Sequence, residues 1–241
     1  MKKKLIAILA ALCLTAACAA FFAACGEGET VKTEYPYYTL TLNEAGDGLI
    51  LDVPYASKLP SGAISVPAAS YYYIGSDGVY KEHDSAMIVT EISEDAFKGI
   101  GTLTSVTLPS QVKTIGSGAF ADCKALETVT LSDNVIAVPD NAFDGCTALK
   151  EVIGGTISSV GKYAFASCLT LRKLSFGFGE NMSVGDRAFF YTNSISSLDM
   201  TKATSVGASA FEGWISSQKI VTGSTAGWSD EWRNGCHATL A

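Results

Sequence analysis

Three cysteines, Cys123, Cys146 and Cys168, recur 23 and 22 residues apart, and thiols placed so regularly could hold a metal or close disulfides. The chain has 7 Cys but only 2 His and no Cys-x-x-Cys, and neither His83 nor His237 stands at ligand spacing from a cysteine pair, so no metal is expected. Cys236 and His237 adjoin each other, which is too little for a site. His83-Asp84-Ser85 contains the three residue types of an acyl-transfer relay. Neighbours in sequence do not reach relay geometry unaided, and no nucleophile elbow, phosphate loop, zincin helix or dinucleotide fingerprint accompanies them. The expectation is a chain without catalysis or cofactor. Aromatic residues offer binding chemistry instead. Trp214, Trp228 and Trp232 all fall in the last 28 residues, where they can stack on sugars or cover an open end of the fold. Eight of ten tyrosines precede residue 81, among them the run Tyr71-Tyr72-Tyr73. In a strand such a run turns at least one ring outward, and tyrosine suits recognition surfaces because its contact area is rigid and amphipathic.

A repeat must position these residues. Ala-Phe recurs at Ala96-Phe97, Ala119-Phe120, Ala142-Phe143, Ala164-Phe165, Ala188-Phe189 and Ala210-Phe211, the phenylalanines 23, 23, 22, 24 and 22 residues apart. Five residues before each Phe stand Ile92, Ile115, Val138, Val160, Val184 and Val206. Nine after come Val106, Val129, Val152, Leu174, Leu198 and Ile220. Six after come Leu103, Leu126, Leu149, Leu171 and Ile195, and only the last copy departs, at Ser217. Stretches such as Leu126-Glu127-Thr128-Val129-Thr130-Leu131 alternate as strands do. One such unit cannot bury its own apolar face, whereas stacked units bury each other's, which predicts a solenoid with parallel strands down one side.

The register assigns the remaining residues. The cysteines share a column, three after each Phe, with Ile100, Thr192 and Trp214, which reads as a packing position holding buried, reduced thiols. Parallel side chains in register point the same way, which opposes the dihedral a disulfide needs. The segment carrying Trp228 and Trp232 follows the strand at Ile220-Val221 and reads as a cap on the last coil. Seven and eight residues after each Phe the side chains face outward, which puts Glu127, Lys150, Arg172 and Lys173 on the strand face between hydroxyl-rich flanks. These four and Tyr71, Tyr72 and Tyr73 are the candidate ligand-binding residues. The face is expected to lack aromatic anchors, and the spine to lack a deep cleft.

Units of the form (V/I)-G-x-x-A-F-x-x-C-x-x-L-x-x-V-x-L resemble the leucine-rich repeats of the BspA-like bacterial surface proteins. The resemblance implies a leucine-rich-repeat solenoid, a parallel β-strand spine with short helical or irregular turns, in about six repeats of 22–24 residues over residues 88–222. Gly62-Ala63-Ile64-Ser65-Val66-Pro67 looks like the opening strand that precedes the first full repeat in that family. Residues 35–87 are then an amino-terminal cap with a degenerate first repeat, and residues 223–241 a carboxy-terminal cap. The family resemblance also implies a cell-surface binding or adhesion role.

The chain opens with Lys2, Lys3 and Lys4, an apolar run from Leu5 to Ala24, then Cys25, the pattern of a secretory signal. Phe22-Ala23-Ala24-Cys25 resembles the lipobox of bacterial lipoproteins, departing at Phe22 where the family carries Leu. This implies a signal peptide over 1–24, acylation of Cys25, and a polar tether over 25–34. Cys18, after Thr15-Ala16-Ala17, is the other candidate. The formal net charge of −7 becomes more negative once the leader lysines are gone, so neither nucleic acid nor anionic headgroups attract the chain. A membrane is reached through the acyl anchor. The expected partner is an extracellular protein or glycan met by a non-catalytic, membrane-anchored surface protein. A glycan-binding lipoprotein and a structural envelope component without a soluble ligand are the alternatives.

Overall fold

The structure is a computed structural model that describes residues 38–53, 61–76 and 78–241; for Tyr71, Tyr72 and Tyr80 the description stops at the backbone. The leader, Cys18, Cys25 and the tether lie outside the described residues. The amino-terminal part contributes β1 (Thr39–Leu42), β2 (Leu49–Asp52), β3 (Gly62–Ser65), β4 (Ala69–Ile74) and β5 (Tyr80–Ile92). The repeats contribute β6 (Leu103–Thr107), β7 (Thr114–Ile115), β8 (Thr128–Thr130), β9 (Ala137–Val138), β10 (Glu151–Val160), β11 (Lys173–Val184), β12 (Ser197–Asp199), β13 (Ala203–Val206) and β14 (Lys219–Val221), and β15 (Thr239–Leu240) follows. The described residues contain no helix, so the turns expected as helical or irregular are irregular.

Each coil has a strand side and a turn side. On the strand side β3, β6, β8, β10 and β11 pair in parallel, with Val106, Val129, Val152 and Leu174 at successive register positions. β3, paired in parallel with β6, stands at the end of this sheet. A second parallel stack, β12-β14-β15, continues the spine farther along. The strands of the amino-terminal part other than β3 join β7 of the repeats in a five-stranded sheet in the order β2-β1-β4-β5-β7, with antiparallel pairs β1–β2 and β4–β5.

The turn side needs an unusual backbone. Two residues before each Phe, at Asp95, Gly118, Asn141, Tyr163, Arg187 and Ser209, and two after, at Gly99, Asp122, Gly145, Ser167, Tyr191 and Gly213, φ is positive, between 50° and 88°. Reversing hand on each side of the Phe aims its N–H along the solenoid axis. Phe97, Phe120, Phe143, Phe165 and Phe189 thus donate to the carbonyls of Ala119, Ala142, Ala164, Ala188 and Ala210 at 2.7–2.9 Å. The six rings stack face to face, centroids 5.1–5.7 Å apart. All are fully buried, as are the alanines beside them. At the corner leading into each turn the backbones nearly touch. A Cβ on Gly185 would lie 2.6 Å from the Lys162 nitrogen, which is why glycine occupies that slot.

Candidate functional site

The strand face carries the predicted charges as ion pairs that climb from coil to coil. Lys150 Nζ sits 2.8 Å from Glu127 Oε2, and Lys173 Nζ sits 2.8 Å from Glu151 Oε1. Ser175 Oγ also donates to Glu151 Oε1, at 2.5 Å, and the Lys173 and Ser175 hydrogen bonds hold the Glu151 carboxyl below its ordinary range. These pairs are solvent-exposed, so they set the pattern of the face more than its stability. Arg172, one coil position away, makes no ion pair with a described residue.

The spine is interrupted beside Arg172. β11 pairs with β10 on one side, but its other edge does not pair with β12. One coil earlier Arg172 N–H donates to Lys150 O at 3.0 Å, and one coil later Lys219 N–H donates to Ser196 O at 2.9 Å. At the break neither Ser196 N–H, the counterpart of Arg172, nor Ser197 N–H, the counterpart of Lys219, has a backbone acceptor among the described residues. The cause is a mismatch in length. Val184 stands ten residues after Leu174, whereas Val160 follows Val152 by eight and Val206 follows Leu198 by eight. β11 takes up its excess in register shifts against β10 and makes no pair with β12. The coils meet again at Ser183–Val184, which pair with Ser205–Val206, and the Phe165–Phe189 stack stays at 5.4 Å. The break is a wedge that opens on the strand side only.

The wedge encloses a recess of 430 Å³. Leu174, Phe176 and Phe178 line it, each half-buried and packed against the core. Phe176 lies 6.5 Å from Phe165 and meets Phe178 edge-on at 5.5 Å. Arg172, Lys173 and Lys202 are the cations of the lining, and Asp199 is its carboxylate. Lys202 pairs with Glu180 at 2.9 Å. Asp199 accepts from the N–H and Oγ1 of Thr201, which keeps its carboxyl below the usual range. A face expected to lack aromatic anchors and a cleft therefore has both. Leu174 belongs to a column otherwise buried throughout, and the two extra residues after it are what expose it.

The BspA type leucine-rich repeat region matches in six copies over residues 89–224, more than half of the chain. The chain belongs to the BspA-type leucine-rich-repeat family. Among solved structures it is similar to the leucine-rich-repeat protein of T. pallidum, with a TM-score of 0.60 and 23% identity over 79% of this chain and 81% of that one. It is also similar to a leucine-rich cell surface protein from Faecalibacterium prausnitzii, with a TM-score of 0.56 and 21% identity. That likeness covers 83% of this chain and 56% of the F. prausnitzii protein. At these identities the likenesses establish the fold. No curated protein matches in sequence.

In this BspA-type chain the cysteine column does more than pack. Cys123, Cys146 and Cys168 are free and buried, and their Sγ atoms donate to the carbonyls of Phe97, Phe120 and Phe143 at 2.9, 3.0 and 3.1 Å. Thr192 Oγ1 and Trp214 Nε1 do the same for Phe165 and Phe189, at 2.9 and 3.0 Å. Burial pushes the Cys123 thiol up to about 12 and raises those of Cys146 and Cys168 as well, so all three stay protonated and keep donating. The shared property of Cys, Thr and Trp is a donor hydrogen, a signal the sequence carries beside that of bulk. In the last coil buried Gln218 serves the same end, its Nε2 donating to Thr192 O and Ile195 O at 3.2 and 2.8 Å.

Trp214, Trp228 and Trp232 are buried in the core, with Trp228 and Trp232 edge-on at 5.0 Å, so they close the fold and present no open ring to a sugar. Tyr73 lies in β4, half-buried against the core, in a different sheet from the charged strand face. The side chains of Tyr71 and Tyr72 lie outside the described residues. His83 is exposed on β5, where its Nδ1 accepts from Ser85 N–H at 3.3 Å.

Proposed function

We propose that this BspA-type protein is an exported, non-catalytic surface protein, anchored through acyl chains on Cys25, that binds an extracellular protein on the strand face of its solenoid. Family membership supports a binding role, and the recess in the spine supports the strand face as its place. The observation that carries the reading is the recess between β11 and β12, where half-buried Leu174, Phe176 and Phe178 meet Arg172, which has no ion-pair partner among the described residues. Apolar floors with a few convergent polar groups are the usual form of a binding site. Two or three acyl chains, at about 0.8 kcal/mol per buried CH₂, would give stable anchorage.

The test is a binding screen of residues 26–241 against arrays of extracellular-matrix proteins and glycans, with the quadruple Glu127/Lys150/Arg172/Lys173→Ala variant beside it. A protein ligand that the variant loses supports the reading. A glycan ligand, or silence from a folded protein, removes it. Metabolic labelling with a fatty acid checks the anchor, and label that persists in Cys25→Ser would move it to Cys18.

A further inference from the structure

The walls of the recess are strand edges, and that narrows what it can hold. Along Lys173–Phe178 and Ser197–Asp199 the backbone has no partner across the gap, although every other junction of the spine among the described residues is paired. An unpaired edge is a template for another strand. Here two parallel edges face each other, so one extended segment laid between them meets both. A compact apolar ligand would leave these groups without partners, and a sugar, whose hydroxyls can bond some of them, has no backbone repeat that matches the row.

The side chains add a preference. The floor of Leu174, Phe176 and Phe178 takes the apolar face of an extended segment, whose residues alternate sides. At the rim, Lys173 and Lys202 are already tied to Glu151 and Glu180, while Arg172 has no described partner. Arg172 accordingly selects a carboxylate. We propose that an extended peptide segment of a partner protein, carrying an acidic residue among apolar ones, inserts as an added strand between β11 and β12. Main-chain hydrogen bonds then supply affinity, and Arg172 with the phenylalanine floor supplies selectivity. The inference rests on the surface-binding reading for where the partner is met.

The experiment uses residues 26–241 and a positional-scanning library of acetylated, amidated hexapeptides. The library is expected to select Asp or Glu at one position with Val, Ile or Phe at a neighbouring one. Arg172→Glu, an exposed change that leaves the fold intact, is expected to move the preference to Lys or Arg. Single N-methylation of the selected peptide should weaken binding about tenfold or more at adjacent positions as well as alternate ones, because both edges are engaged. Loss at alternate positions only would mean addition to one edge and would overturn insertion. An unselective library, or an acidic preference that survives Arg172→Glu, also overturns it. Peptide selection without any bound extracellular protein would uphold this inference and remove the surface-binding reading. A protein ligand indifferent to Arg172→Glu would do the reverse.

Discussion

The two sides of each coil are held together on different terms. On the turn side, one ladder of Phe N–H bonds and one stack of rings run unbroken from Phe97 to Phe211. On the strand side, the ladder stops at β11 and resumes at β12. The solenoid survives the interruption, so its continuity resides in the turns. The strand face, relieved of that task, can change length, as the link from Leu174 to Val184 has done.

The sharpest way to break this comparison is to truncate one phenylalanine on each side. Phe165→Ala opens a cavity in the continuous stack and is expected to cost about 3–5 kcal/mol in urea unfolding. Phe176→Ala, half-buried at the wedge, should cost about 1–2 kcal/mol. Equal losses would mean that the strand side shares the burden. Amide exchange sharpens the contrast locally. Ser196 N–H should exchange roughly a hundredfold faster than the amides of Lys150 and Lys219, which donate to the preceding coils at 2.8 and 2.9 Å. Comparable protection at all three would deny the break.

The donor column provides the next test. Cys146→Val keeps the volume but removes the side-chain donor from the buried Phe120 carbonyl, leaving it only the Cys123 N–H at 3.3 Å, while Cys146→Thr restores a side-chain donor in the manner of Thr192. The valine variant should be less stable than the threonine variant by about 1–2 kcal/mol, measured by thermal unfolding. The smallest effect belongs to the exposed face. Glu127→Gln severs the pair with Lys150, whose side chains are 51% and 49% exposed, and should change stability by less than about 0.5 kcal/mol.

Legibility in the sequence follows the same division. Phe97 to Phe211 and Ile92 to Val206 recur in strict register because each must fit the coil before and after it, so a periodic physical demand leaves a periodic trace. The same register puts the charged positions Glu127, Lys150, Arg172 and Lys173 on the outer face, and all four are exposed. The recess was not legible, because it arises where the period fails. The 24-residue interval between Phe165 and Phe189 carried the signal, but a count does not say whether surplus residues loop out harmlessly or force two strands apart. The donor role of Cys123, Cys146 and Cys168 escaped for another reason. Aligning them with Ile100 and Trp214 drew attention to size, and only the carbonyl facing each one identifies the property they share with Thr192.

The wedge has a mechanical consequence. A stack fastened along both sides resists bending in every direction, but one fastened along a single side at one level behaves as a beam with a notch. Force on the carboxy-terminal coils would concentrate between β11 and β12, swinging β12 and everything beyond it about the Phe165–Phe189 contact as a pivot. A segment seated in the notch would splint the beam, so occupancy could be read as stiffness, by the force at which the last coils peel away.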